Sequence, residues 1–176
     1  MDRSGGRIPL GLVGARPHTD PMTQRVDLAT VMDRLAIDEV VTGYAVAVDD
    51  GDWAAYRALF AAGGRADYTS AGGIEGPAGE VADWLAEAMR LFPVRQHLIV
   101  NRLISLDDAG GAPGDGARVR ADFLNPMRLS GPGADVSTTA PNFVAAGRYA
   151  FALARTRDGW RLTRVTVQEK WRHLAV

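Results

Sequence analysis

Near residue 93 the spacing of apolar residues changes from three-and-four to strict alternation, and no other feature of the sequence restricts the fold as much. A chain that begins in helices and ends in long strands does not interleave them as β-α-β units. Its strands must pair chiefly as an antiparallel meander, which makes an α+β domain. A sheet that curves around the first, long helix then encloses an apolar pocket between its concave face and the helices.

The helical half divides at its glycines and prolines. From Asp27 to Val48, Ile37, Val40, Val41, Tyr44 and Val48 form one stripe, with Asp27 as the expected cap. A second helix is predicted over Trp53 to Phe60, where Trp53, Tyr56 and Phe60 lie three and four apart, with Gly63-Gly64 ending it. Arg65 to Ser70 reads as a short strand and Ile74 to Gly76 as its return. Pro77 opens a third helix, with Val81, Trp84, Leu85, Ala88 and Met89 facing inward, which stops before Pro93.

Beyond the change, Val94 to Leu106 reads as a strand with His97, Ile99, Asn101 and Leu103 on one face. A Gly- and Pro-rich turn over Asp107 to Gly116 returns the chain. Val119, Ala121, Phe123, Asn125, Met127 and Leu129 then share the buried side of the next strand, with Arg118, Arg120 and Asp122 opposite. Ser130 to Asn142 is a loop or lid candidate, Phe143 to Arg155 a strand, and Trp160 to His173 the last one. In that last strand the apolar phase slips between Leu162 and Val165, as a bulge would make it do.

With 176 residues, 47% of them hydrophobic, the chain supports one core and not two. Residues 23–176 are therefore expected to form one domain behind a flexible Gly-, Pro- and Arg-rich tail at residues 1–22. Twenty basic residues against 21 acidic ones provide no field to recruit nucleic acid or an anionic membrane. The absence of cysteine removes disulfides and thiolate chemistry. With no long apolar run, a cytoplasmic protein is the expectation.

Between the first two helices lies Val48-Asp49-Asp50-Gly51-Asp52-Trp53. It has an ordinary reading, in which Gly51 ends one helix, Asp52 caps the next, and Asp49 and Asp50 are solvated. Of the three histidines, His18 lies in the tail and His173 near the end, leaving His97 on a strand face expected to be buried. No second His or Cys stands at metal-ligand spacing, no glycine run opens a helix after a strand, and no Gly-x-Ser-x-Gly turn occurs. Acid–base chemistry from Asp, His and Tyr is what remains.

From Val31 to His173 the chain resembles the nuclear-transport-factor-2-like superfamily in its SnoaL-like branch. The markers are Ala36-Ile37, Tyr44, Val48 through Trp53, Ala66-Asp67-Tyr68, Gly76-Pro77, Gln96-His97 and Asp158-Gly159-Trp160. The resemblance implies a cone-shaped, curved mixed sheet around a deep apolar pocket. It also implies homo-oligomers, with a trimer favoured over a dimer, and a His–Asp pair that works without metal or organic cofactor. Asp49 and His97 match that pair, His97 as base and Asp49 as its orienting partner. Tyr44 and Tyr68 match catalytic tyrosines, and Asn125 stands where some members carry an acid. A second pocket histidine has no counterpart in Phe123-Leu124-Asn125-Pro126-Met127, and Glu169 falls where another member has arginine. Trp53, Phe123 and Met127 are expected to line the substrate site beside Asn125. The expected function is a cofactor-independent lyase or isomerase (dehydratase, cyclase or double-bond isomerase) acting on an apolar polyketide- or steroid-like small molecule. The alternative is a non-catalytic ligand-binding protein or the small subunit of a ring-hydroxylating dioxygenase.

Overall fold

Ile37, Val41, Tyr44 and Val48 sit at most 2% exposed along one side of α1, Leu28–Asp50, so the 3.6-residue stripe is the face the helix buries. The computed structural model describes residues 28–109, 112–131 and 139–175. The tail, the Asp27 cap and the middle of the Ser130 to Asn142 loop lie outside them. After α1 come α2 (Trp53–Ala58), β1 (Phe60–Asp67), β2 (Glu75–Pro77), α3 (Ala78–Ala88), β3 (Leu98–Ala109), β4 (Ala112–Met127), β5 (Phe143–Thr156) and β6 (Gly159–Leu174). The six strands make one curved mixed sheet in the order β2-β1-β6-β5-β4-β3. The meander of four long strands is thus β6-β5-β4-β3, antiparallel throughout, and β1 joins its β6 edge in parallel.

Three local expectations are corrected by long-range pairing. The second helix ends at Ala58, not Phe60, and Gly63-Gly64 lies inside β1. Phe60 pairs with Leu162, and the Leu162 N–H donates to the Leu59 carbonyl at 2.8 Å, so β6 captures the segment before another helical turn forms. Gly63, at φ 74°, accommodates the irregularity in register between Phe60 and Arg65. The strand expected from Val94 starts at Leu98, with Val94 making only an isolated bridge to Arg128. Finally, Asn101 and Leu103 do not share the inward face of His97 and Ile99. Asn101 takes φ 52° at a bulge between Val100 and Leu103, which flips the phase and leaves Leu103 53% exposed.

The slip expected between Leu162 and Val165 is present, since Ala152 pairs with Arg164 but Leu153 with Leu162. A second bulge shapes the site: Ala146 pairs with Trp171 and Gly147 with Glu169, leaving Lys170 extra. A Cβ on Gly147 would collide with the Gln168 carbonyl and stand 2.8 Å from the Phe123 ring. Gly147→Ala is expected to cost about 1–3 kcal/mol through overpacking, read as a lowered urea midpoint.

Two polar clamps fix the helix on the sheet. Asp33, near the start of α1, takes both terminal nitrogens of Arg155 at 2.8 and 2.6 Å and the Trp160 indole N–H at 3.1 Å. Arg102 on β3 donates to the Asp38 carboxylate and the Thr42 hydroxyl, each at 2.7 Å. The second clamp sets the height of β3 against α1, and so the place of His97.

Candidate active site

Asp49 and Asp50 close α1 with no basic residue in its last turn, so two carboxylates sit at the negative end of the helix dipole. That local cost is matched by a partner for Asp49. The Asp49 Oδ1 accepts from His97 Nδ1 at 2.5 Å and its Oδ2 accepts from the His97 backbone N–H at 2.9 Å. This two-point capture takes the N–H that would otherwise start the ladder, and β3 begins one residue later. The ring bond assigns the tautomer with the proton on Nδ1 and the lone pair on Nε2. The imidazole is 8% exposed and the carboxylate 23%. The ordinary reading holds for the neighbours: Gly51 turns the chain at φ 69°, and Asp52 caps α2 by accepting from the Ala55 N–H at 2.8 Å.

His97 is in the wall of a cavity of about 240 Å³ between the sheet's concave face, α1 and α3. Val48, Leu85, Phe92, Phe123, Met127 and Phe143 contribute much of its apolar lining. Tyr44 and Asp49 lie five apart on an unbroken helix, yet both serve the site, because Tyr44 faces the cavity while Asp49 reaches His97 from beside the stripe. Asp49 itself is not part of the lining.

All four tyrosines of the chain gather around α1. Tyr44 and Tyr68 share a short hydroxyl–hydroxyl hydrogen bond. Tyr44 packs edge-on to Tyr149 at 5.5 Å and lies 5.6 Å from Tyr56, ring centre to ring centre. Tyr44, Tyr68 and Tyr149 line the cavity, and Tyr56 stands behind them. Burial, with the neighbouring phenols adding to it, holds Tyr44 and Tyr68 far above the usual phenol range; burial raises Tyr149 likewise and pushes Tyr56 up to about 12. These phenols therefore stay protonated at neutral pH and serve as hydrogen-bond donors, so the proton acceptor among these groups is His97.

Tyr44, Tyr68, His97, Phe123, Asn125 and Met127 are thus brought to one cavity. Trp53 is not: its ring packs against Tyr56, 6.2 Å between centres, which stands behind the cavity wall, and it lies outside the lining. Sequence reasoning missed Tyr149 and Arg172, and it noted Trp84 only as an inward residue and Glu169 only as the place of another member's arginine, although all four line the cavity. The alternation of β5 could have flagged Tyr149; the bulge at Lys170 hides Arg172. The Asn125 Oδ1 is buried without a hydrogen-bond partner. Among the described residues, no group of three or more His, Asp or Glu side chains could hold a metal ion, and no helix is long and apolar enough to cross a membrane.

Fold and site together define a cone-shaped α+β protein of the nuclear-transport-factor-2-like kind, with an imidazole–carboxylate pair in the wall of an apolar cavity. The chain belongs to the SnoaL-like domain family, whose pattern matches residues 29–166. It is 29% identical over 139 residues to Rv2910c, an uncharacterized protein of Mycobacterium tuberculosis, covering 79% of this chain and 86% of that one. Its shape is similar to that of hexachlorocyclohexane dehydrochlorinase LinA-type3 from Novosphingobium barchaimii. There the TM-score is 0.68 at 16% identity over 85% of this chain and 94% of that one. A Novosphingobium aromaticivorans protein named for scytalone dehydratase is similar at TM-score 0.61 and 16% identity, over 83% of this chain and 89% of that one. The fold is therefore one that this chain shares with a hexachlorocyclohexane dehydrochlorinase.

Proposed function

We propose that the protein is a proton-transfer lyase or isomerase acting on a compact, largely apolar carbonyl compound. The observation that carries this is the Asp49–His97 bond at 2.5 Å, which holds a basic nitrogen at the wall of a cavity lined mostly by apolar groups and protonated phenols. His97 Nε2 takes a proton from the carbon beside the carbonyl, and the C–H electron pair moves to the carbonyl oxygen. Tyr44, Tyr68 or Asn125 hydrogen-bonds the resulting enolate. Where the substrate carries a β-hydroxyl, the enolate expels it as water with the proton from the imidazolium; where it carries a β,γ double bond, the dienolate takes the proton back at the γ carbon. The first outcome is dehydration and the second double-bond migration.

Cavity size narrows the substrate. A cavity of about 150 Å³ holds a benzene, so one of about 240 Å³ favours one or two rings over a steroid frame. The test is a mass-shift screen of one- and two-ring ketones and β-hydroxy ketones in D₂O. Deuterium uptake or loss of water is expected with the wild-type protein and not with His97→Ala. Binding without any mass shift across the panel would favour the ligand-binding or dioxygenase-subunit role instead.

We further propose a homo-oligomer, a trimer before a dimer, joined through the outer sheet face. Leu98, Val100 and Leu124 stand 39%, 46% and 38% exposed there. Val100→Asp is expected to shift the mass from light scattering toward one chain; a wild-type monomer at micromolar concentration refutes the assembly.

A further inference from the structure

Resting on the proton-transfer reading above, we infer that Glu169, held by Arg172, is a second anchor of the cavity: it accepts a hydrogen bond from an uncharged hydroxyl of the ligand and turns carboxylates away. Of the described residues lining the cavity, these two carry the fixed charges. They arrive there through the Lys170 bulge. Strict alternation from Glu169 would turn Trp171 inward, but the extra residue leaves Trp171 52% exposed and brings Arg172 to the cavity beside Glu169.

The sheet register gives the distance between the two polar ends. Leu98 pairs with Leu124 and Ile99 with Phe123, so continuing that register sets His97 opposite Asn125. Asn125 pairs with Ala145, and Ala145 with Arg172. His97, Asn125, Ala145 and Arg172 thus form one row across the cavity wall, three interstrand steps or about 14 Å of backbone from end to end. Ala145 is the small residue in the middle of that row. A compact ring compound seated over it meets the base at one end and the ion pair at the other, with the unpartnered Asn125 Oδ1 between them.

Glu169 is built in rather than displayed. Its side chain is 11% exposed against 46% for Arg172, so the carboxylate sits deep and the guanidinium toward the mouth. Arg172 donates to its two oxygens at 2.6 and 2.8 Å and to the Ala71 carbonyl at 3.0 Å. The Glu169 backbone N–H donates to Ser70 Oγ at 3.0 Å, and Ser70 in turn donates to the Val167 carbonyl at 2.6 Å. Each carboxylate oxygen keeps acceptor capacity, so a ligand O–H can join without displacing Arg172, and a hydrogen bond to an ionised acceptor is a strong one. A carboxylate has no such place. The guanidinium is already matched, Asp49 adds a second negative charge behind His97, and the apolar walls screen repulsion poorly.

Calorimetric titration of the wild-type protein with 2-naphthol and 2-naphthoate at neutral pH tests this on one ring frame bearing either group. The naphthol is expected to bind at least tenfold more tightly. In Glu169→Gln, with folding checked by its melting curve, the gap is expected to shrink to threefold or less, since the repelling charge is gone and Arg172 is left unmatched. Wild-type protein that takes the naphthoate as tightly as the naphthol, or takes neither, overturns the inference whether or not the variant folds. So does a folded Glu169→Gln with an unchanged ratio. Because binding is read without turnover, these failures leave the His97–Asp49 chemistry standing, while a silent D₂O screen with the naphthol preference intact would sink that chemistry alone.

Discussion

Replacing His97 with alanine is expected to lower turnover on any substrate found by about 10²- to 10⁴-fold while the protein still folds, which is the usual contribution of a positioned general base. Asp49→Asn is expected to do comparable damage for a different reason. The amide can still accept from the His97 backbone N–H, but its NH₂ can face the ring and favour the tautomer protonated on Nε2, which cannot take a proton from substrate. Since the two residues act as a unit, the double variant should be little worse than either single one. The measurements are kcat and the melting temperature of each purified variant. If Asp49 is no more than a helix-end carboxylate, Asp49→Asn will leave kcat intact and, by removing a negative charge from the negative end of the α1 dipole, raise stability by about 0.3–1 kcal/mol.

Asp33→Ala is expected to destabilise the protein by about 3 kcal/mol. That is the low end for breaking a buried ion pair, because the Arg155 side chain remains 38% exposed. The loss should be near this value at pH 7, where the wild-type carboxylate is ionised and holds both Arg155 and the Trp160 indole. Hydrogen bonding from Arg155 lowers the Asp33 pKa below its ordinary value of 3.8, with the Trp160 bond and the Arg155 charge adding to it against the opposing effect of burial. A depressed folded pKa contributes stability that is fully present above the unfolded value and is lost as pH falls through the folded one. Urea unfolding of the wild type should therefore weaken progressively below about pH 4, and the Asp33→Ala curve should fall less steeply over that window. Parallel acid limbs for the two proteins would show that the Asp33 clamp contributes nothing to acid sensitivity.

The Asp49–His97 pair and the Asp33 clamp differ in how far they could be read from residues alone. Asp49 and His97 are 48 positions apart, and only resemblance to a family joined them. Nothing in the sequence marked Asp33, whose partners Arg155 and Trp160 lie more than 120 positions away. A charge on the apolar side of a helix is a conflict within the local pattern, and its resolution sits on two distant strands, β5 and β6.

Periodicity determined what depends on near neighbours. The stripe of α1, the inward series Val119 to Met127 and the slip between Leu162 and Val165 follow from spacings of a few residues, and each is present in the fold. Tertiary structure decided what depends on which strand lies alongside. Parallel pairing with β6 drew Phe60 and Gly63-Gly64 into β1. The bulge at Asn101 turned Leu103 outward, and the one at Lys170 turned Arg172 toward the cavity. A one-residue bulge moves every later side chain to the opposite face, and its position is set by hydrogen bonds to a partner strand distant in sequence. For that reason the apolar body was legible from the chain alone, while the polar end opposite His97 emerged only once β5 and β6 were paired.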